Sequence, residues 1–327
     1  MTLVQYRPRA TTLLNNVDLM INSIFNDSPK LLNTFSDWKP IVDIEENEKN
    51  FILTADIPGV KKNDIEITLS STERPGHAVE LAKNCNFSEF SSICAVGGDG
   101  TLNEVLNGVL KRNDKKKIPI GLIPGGTGNS FMKTLDYLDP VKATMQIIKN
   151  KTRSVDVIKV DCPGEVYYSL NLVGWGMATD ISVFAEKLRI LGEQRYNVAS
   201  IFEIIKNKKR PASLILDGKE IVNDFCFIIA CNTKYVGKGM KMAPEADLED
   251  GLIDVIIVRK SSSIKLFNVF PKLFNGSHIS SPLCEYVQVK SLEINPNVNT
   301  PLNIDGEIIG ETPAKLNVLP KYIDLLM

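Results

Sequence analysis

The sequence has 327 residues, 43% hydrophobic and 24% charged, which describes a folded protein of about two domains and excludes wholesale disorder. Lys and Arg number 38 against 39 Asp and Glu, a net charge of -1, so a strongly basic nucleic-acid binder held by counterion release is excluded. No apolar run approaches the roughly 20 residues that cross a bilayer, and MTLVQYRPRATTLL has no signal-peptide pattern. Six cysteines lie scattered without CxxC spacing, and there are only two histidines, His77 and His278. These are buried or free thiols in a reducing compartment rather than a disulfide framework or a zinc site. The expected location is cytoplasmic.

The first forty residues are weakly periodic, with helix-like patches such as LLNNVDLMINSIF. After Trp38-Lys39-Pro40, IVDIEEN and NFILTAD alternate as two short strands, closed by a turn at Pro58-Gly59. KNDIEITLS supplies a third strand, with Ile65, Ile67 and Leu69 on one face. From Ser71 the rhythm changes. ERPGHAVELAKN, TLNEVLNGVLKR and NSFMKTLDYL have helical spacing, and SSICAVGG and IPIGLIPGG are buried strands between them. Such alternation predicts a parallel sheet covered by helices. After about Ser154 the chain is β-rich: VDVIKVD, EVYYSLNLV, PASLILDG, NDFCFIIAC, GLIDVIIVR, YVQVKSLEI and PLNIDG. A helical hairpin at about 183–208 interrupts the series.

The chemistry concentrates in two loops. In Ala95-Val96-Gly97-Gly98-Asp99-Gly100-Thr101 an apolar strand runs through glycines into a helix. That helix carries Leu102, Val105, Leu106, Val109 and Leu110 as an apolar stripe. Glycines let the backbone approach a ligand, and the free N–H groups of a helix start favour phosphate oxygens. Asp99 would repel bare phosphate, so it suggests a bridging Mg²⁺ or a hydroxyl to position. The competing account is a tight turn that uses glycine for steric reasons. A second loop, Pro124-Gly125-Gly126-Thr127-Gly128-Asn129, repeats the arrangement. Two such loops on neighbouring parallel strands make one crevice. Neither fits GxxxxGK[ST] or GxGxxG with an acidic ribose binder.

GGDGTLNEVLNGV, IPGGTGNSF, YVGKGMKMAPEADLEDGLIDV and the late Asn303-Ile304-Asp305-Gly306-Glu307 occur in this order. In that order they resemble the diacylglycerol kinase/sphingosine kinase catalytic superfamily, and most closely its bacterial-type soluble lipid kinases. The resemblance runs over about residues 71–327. It implies an α/β nucleotide-binding domain at 71–153, with a parallel sheet like that of NAD kinases and phosphofructokinases. A β-sandwich substrate domain at 154–311 follows, and residues 312–327 return to the first domain. The resemblance implies ATP contacts at Thr72, at Gly97, Gly98, Asp99, Gly100, Thr101, Leu102, Asn103 and Glu104, and at Gly126, Thr127, Gly128 and Asn129. Glu307 matches the family's proton acceptor, and a carboxylate in reach of a lipid hydroxyl suits that role. Taken alone, Asp305-Gly306-Glu307 reads as a hairpin turn with an exposed carboxylate.

The family's structural Mg²⁺ loop matches 243–252, with Asp250 and the carbonyls of Asp247 and Leu252 as oxygen ligands; an acidic turn ending at Gly251 is the plainer account. Lys238 and Ser130 depart from the family's usual glycine and aspartate, which bears on substrate choice. His77 caps or packs a helix start. Phe202, Ile204 and Ile205 beside KNKKR read as a solvated basic helix end, with contact to an anionic membrane as the alternative.

Residues 1–70 instead resemble the start of a bacterial small heat-shock protein, through MTLVQYRPR, WKPIVDI and FILTADIPGV. That implies a truncated α-crystallin-like β segment and leaves homo-oligomerisation open. The kinase family's opening strand and Asn-Pro-x-Ser-Gly loop have no counterpart before Thr72. The chain therefore reads as a fusion, in which NFILTAD either fills the vacant strand position or leaves the nucleotide domain impaired. The expected activity is ATP- and Mg²⁺-dependent phosphorylation of a lipid hydroxyl, such as that of diacylglycerol, at a membrane surface. The rivals are a kinase of a soluble acceptor such as NAD and a non-catalytic, chaperone-like oligomer.

Overall fold

A computed structural model describes residues 41–47, 50–56 and 67–327, apart from 127, 189, 191–194 and 238. The chain divides into two compact units, Met1–Arg74 and Pro75–Met327. In the first, β1 (Ile41–Asn47) and β2 (Asn50–Asp56) pair antiparallel, from Ile41 opposite Asp56 to Asn47 opposite Asn50. IVDIEEN and NFILTAD are therefore strands, as their alternation predicts. They form a two-stranded sheet of their own. Residues 67–70 have no ladder, and Ile67 and Leu69 are exposed. The end of the predicted third strand is thus irregular chain; its beginning and the Pro58-Gly59 turn lie outside the described residues.

The second unit begins with α1 (His77–Asn84), which follows the left-handed Gly76. Next come β3 (Ile93–Gly97), α2 (Asp99–Leu110), β4 (Ile120–Pro124) and α3 (Ser130–Leu135). α4 (Pro140–Ile148) was not evident from periodicity; Asp139 caps it and Pro140 opens it. β3 and β4 pair parallel, Ile93 to Ile120 through Gly97 to Pro124. α1 and α2 cross closely because α2 carries Gly108, where an added Cβ would lie 2.5 Å from the Val79 carbonyl oxygen. Ala82, Leu102, Leu106 and Phe131 fill the core of this half.

The β-rich half contains β5 (Thr152–Cys162), β6 (Glu165–Ser169), β7 (Leu172–Gly176), β8 (Arg210–Leu216), β9 (Lys219–Cys231) and β10 (Ile253–Arg259). β11 (Cys284–Val289), β12 (Ser291–Pro296), β13 (Pro301–Ile304), β14 (Glu307–Glu311) and β15 (Ala314–Leu326) complete it. Two runs read as single strands are each divided. EVYYSLNLV breaks at Leu170-Asn171, and YVQVKSLEI breaks at Lys290. The helical hairpin is α5 (Met177–Lys187) and α6 (Arg195–Lys206), and a further short helix, α7 (Ser263–Val269), follows β10. The C-terminal half of β9 and most of β10 are apolar on both faces. One face, with Ile228, Ala230, Val255 and Ile257, joins the strand-on-strand core; the other, with Ile229, Cys231, Ile256 and Val258, packs under the helices.

β15 joins the halves. β5 runs antiparallel along nearly its whole length, while its other partners are β12 at 314–317 and β4, parallel, at Leu325 opposite Ile120. Register shifts between Leu319 and Ile323, at Pro320 and the left-handed Lys321. The buried Asp156 carboxylate holds this irregularity, accepting from the Lys321 N–H at 2.7 Å and the Gly251 N–H at 2.6 Å.

His278 is fully buried and donates from Nε2 to the Met242 carbonyl at 2.9 Å. Burial holds its pKa below the ordinary value, with the hydrogen bonds opposing. The unfolded chain therefore protonates first as pH falls. Stability from this group is complete above about pH 6.5 and is lost as pH drops through that value toward the folded pKa. Urea melts between neutral pH and pH 5 should show this decline, and His278→Gln, though less stable, should lack that component of the slope.

Candidate active site

Both glycine loops open at the C-terminal ends of β3 and β4, and they lie face to face. The Asp99 N–H donates to the Gly128 carbonyl at 3.1 Å, and the Gly125 N–H donates to the Gly97 carbonyl at 2.9 Å. A Cβ on Gly126 would come within 2.5 Å of the Gly98 Cα, and one on Gly98 within 2.8 Å of the Gly128 oxygen. Only glycine permits this approach, so the steric account of the glycines is correct as far as it goes. It does not exhaust them. An added Cβ on Gly100 would meet only Glu307 Oε1, at 3.3 Å, so that glycine faces the catalytic candidate rather than the neighbouring loop.

Asp99 turns away from open space. Its carboxylate accepts from the Ser130 N–H at 2.8 Å and the Phe131 N–H at 3.1 Å, tying the first loop to the start of α3. Burial pushes its carboxyl pKa up against these bonds, and nearby Asp305 adds to the rise. Glu104 accepts from the N–H groups of Gly76 and Ala78 at 2.8 and 3.0 Å, so it fastens the entry of α1 to α2. Thr101 packs against Gly97, and Leu102 is core. Thr72 is exposed irregular chain in the first unit. Thr127 and Lys238 lie outside the described residues. Asn129 donates to the Gly126 carbonyl at 2.8 Å, while its Oδ1 is buried without a hydrogen-bond partner among the described residues. A buried orphan acceptor between the loops is what a donor on a bound ligand or water would satisfy.

The late motif is indeed a hairpin turn, with positive φ at Asp305 (51°) and Gly306 (98°) between β13 and β14. It also does more than turn the chain. The Asp305 side chain, 5% exposed, accepts five hydrogen bonds. Ser169 Oγ (2.6 Å) and the N–H groups of Asn171 and Leu172 (both 2.9 Å) reach Oδ1. Asn103 Nδ2 (2.8 Å) and the Leu170 N–H (2.9 Å) reach Oδ2. Asn103 comes from the first glycine loop's helix, so one carboxylate joins that loop, the break between β6 and β7, and the Glu307 turn. Glu307 itself is exposed.

The acidic loop lies apart from these groups in sequence and closes on itself. Asp247 Oδ1 accepts from the Glu249 N–H at 3.0 Å, and Asp250 Oδ1 from the Leu252 N–H at 2.9 Å. Burial, opposed by the Leu252 bond, raises the Asp250 pKa, and the charges of Asp247 and Asp156 add to it. Among the described residues no cluster of three or more His, Cys, Asp or Glu side chains is placed to hold a metal ion.

Ser169 and Asn171 were missed in the sequence. Their signal is two polar residues in EVYYSLNLV, a run whose β pattern suggests no interruption. Ser130, noted there as a departure, is buried and donates to the Gly237 carbonyl at 2.9 Å, joining α3 to the loop before Lys238.

Glycine loops on parallel strands, met by a carboxylate turn from a β-sandwich, define a two-part nucleotide-binding fold. Two family models divide the chain in the same way: the diacylglycerol kinase catalytic domain at residues 46–160 and the YegS C-terminal NAD kinase beta sandwich-like domain at 171–327. The chain is thus similar over most of its length to diacylglycerol and sphingosine kinases. It is 29% identical to the diacylglycerol kinase of Bacillus subtilis, covering 80% of this chain and 86% of that protein. It is 27% identical to sphingosine kinase 1 of Arabidopsis thaliana over 76% of this chain, and spans only 62% of that relative's length. A crystal structure of a diacylglycerol kinase from Bacillus anthracis shares the fold at TM-score 0.65 and 24% identity, covering 78% and 83% of the two chains. The catalytic-domain match begins inside the stretch that resembles a small heat-shock protein, and neither family model supports that second resemblance.

Replacing Asp305 by Asn puts an amide NH₂ against donors that now meet an oxygen. Asp305→Asn should cost about 3 kcal/mol, and Ser169→Ala, which removes one donor, about 1 kcal/mol, both read from urea denaturation.

Proposed function

We propose that the chain is an ATP-dependent lipid kinase that transfers the γ-phosphoryl group to the hydroxyl of a diacylglycerol-like lipid. The observation that carries this reading is the exposed Glu307 carboxylate beside Gly100, where the glycine loop opens α2. The loops' backbone N–H groups and the helix start suit the nucleotide phosphates. In the reaction, Glu307 takes the proton of the lipid hydroxyl as that oxygen bonds to the γ-phosphorus and ADP leaves. Asp99 acts by holding the second loop against the first. The orphan Asn129 Oδ1 supports a polar ligand between the loops.

Mg²⁺ fits the chemistry of the acidic loop, where Asp250 and the carbonyls of Asp247 and Leu252 would hold it and where it would neutralise crowded carboxylates. The acceptor is presented at a membrane surface and the enzyme works from the aqueous side. No helix among the described residues is long and apolar enough to cross a membrane. The six cysteines are all free, as suits the reducing cytoplasm.

Transfer of labelled phosphate from Mg-ATP to a lipid panel, with NAD as soluble control, tests the reading. Label should enter the diacylglycerol phase, and Glu307→Gln should lower kcat by at least about a hundredfold without a matching change in stability. Label in NAD alone would overturn it. Separately, Mg²⁺ should raise the melting temperature of the parent chain but not that of Asp250→Asn, because bound metal stabilises only the folded state.

A further inference from the structure

Helix α2 buries two side-chain amides beside its apolar stripe. Asn103 and Asn107 are each 4% exposed, and their spacing places them one above the other on one face. Asparagine is a poor helix former, because its amide competes for nearby backbone groups. Two of them inside a helix, among the buried Leu102, Val105, Leu106 and Val109, need partners that offset this cost. Asn103 has one in Asp305. The hydrogen bonds of Asn107 go elsewhere, to backbone.

Asn107 Oδ1 accepts from the Tyr168 N–H at 3.0 Å, and its Nδ2 donates to the Tyr168 carbonyl at 2.9 Å. The same Nδ2 lies 2.9 Å from the Asn103 carbonyl and 3.2 Å from Asn103 Oδ1. Asn103 Nδ2 also donates to the Tyr168 carbonyl, at 2.9 Å. Tyr168 belongs to β6, whose ladder among the described residues is with β5 alone, where it faces Lys159. The Asn107 amide thus stands where a further strand would, and it satisfies both peptide groups of one residue. A carboxylate lacks the donor this needs, and a hydrocarbon lacks both groups.

The strand held in this way runs directly into the cradle of Asp305. The residues after Tyr168 supply four of its five donors, the Ser169 hydroxyl and the N–H groups of Leu170, Asn171 and Leu172; Asn103 supplies the fifth. Glu307 lies two residues beyond Asp305. We propose that Asn107 is a positioning residue for phosphoryl transfer: by fixing the Tyr168 peptide against α2 it sets the donors that hold Asp305, and through them the place of the Glu307 carboxylate. The helix that presents the first glycine loop at its start thereby fixes, two turns on, the strand that places the base. This inference rests on the lipid-kinase reading and adds a residue to the machinery of that site.

The test compares Asn107→Ala, Asn107→Asp and Lys111→Met in the full chain. Lys111, one turn further along α2, also reaches β6, through a surface pair with Glu165 at 2.8 Å. Its loss removes a contact between the same two elements and leaves the Tyr168 peptide untouched. With Mg-ATP and detergent-dispersed diacylglycerol, both Asn107 variants should lower kcat by roughly ten- to a hundredfold while KM for ATP stays within about twofold. Lys111→Met should leave both constants unchanged. In a Glu307→Gln background, which has no base to place, Asn107→Ala should lower kcat little further. Hydrogen exchange at the Leu170, Asn171 and Leu172 amides should be faster in Asn107→Ala than in the parent, and parent-like in Lys111→Met.

Parent kcat in folded Asn107→Ala would overturn the proposal. So would a kcat loss of the same size in the Glu307→Gln background, since the residue would then act without the base. Where Asn107→Ala does not fold, Asn107→Asp, which keeps the acceptor and the side-chain shape, carries the same comparisons. Failure of the parent to phosphorylate any lipid would sink the lipid-kinase reading instead. The exchange measurement would still decide the role of Asn107, and unchanged exchange at residues 170–172 would overturn it.

Discussion

One buried carboxylate organises the candidate active site. Among the described residues Asp305 has no cationic hydrogen-bond partner; it is held by five neutral donors, three of them N–H groups of consecutive residues, Leu170, Asn171 and Leu172. Such an arrangement disperses charge over dipoles, and the same low-dielectric surroundings make each missing donor expensive. It also fixes a left-handed Asp305, a conformation that Asp adopts more readily than most residues with a Cβ. With Asp305 in place, the chain break before β7, the Asn103 amide and the turn that carries Glu307 have no freedom to move separately. The position of the proposed base is therefore determined by residues more than 130 positions earlier in the chain.

The residues drawn from motifs turn out to divide their labour. In the two loops, Gly98 and Gly126 are there so that backbones can touch, whereas Gly100 leaves room beside Glu307. Asp99 and Glu104, both expected at the nucleotide, spend their hydrogen bonds on the N–H groups that begin α3 and α1. Acidic caps at these starts are favourable for the helices. A motif of this density is thus partly a recipe for assembling its own frame.

The parallel pair β3 and β4, their loops and most of the later strands could be read from the sequence because each is a short apolar run ended by glycine or a polar turn. The divisions within EVYYSLNLV and YVQVKSLEI could not. They are imposed by distant partners, the Asp305 carboxylate in one case and the Asp217 carboxylate, which accepts from the N–H groups of Lys290 and Ser291, in the other. α4 was obscured because Asp139-Pro140 resembles a loop as much as a capped start. The orientation of α6 was inaccessible for a different reason. Its periodicity is helical either way, and only packing decides which stripe faces inward. Residues 41–47 and 50–56 read correctly as strands, because alternation names a strand even where it cannot name its partner.

β15 has a further consequence for how the molecule is made. A strand that is bonded to β5, β12 and β4 leaves the ribosome after all three. Until it arrives, β4 lacks its neighbour on that side, and β5 and β12 expose edges on either side of a gap. Domains generally fold in the order of synthesis, but here the nucleotide-binding half waits on the end of the sandwich half. The glycine loops and the carboxylate turn therefore reach their final arrangement only after β15 has been made.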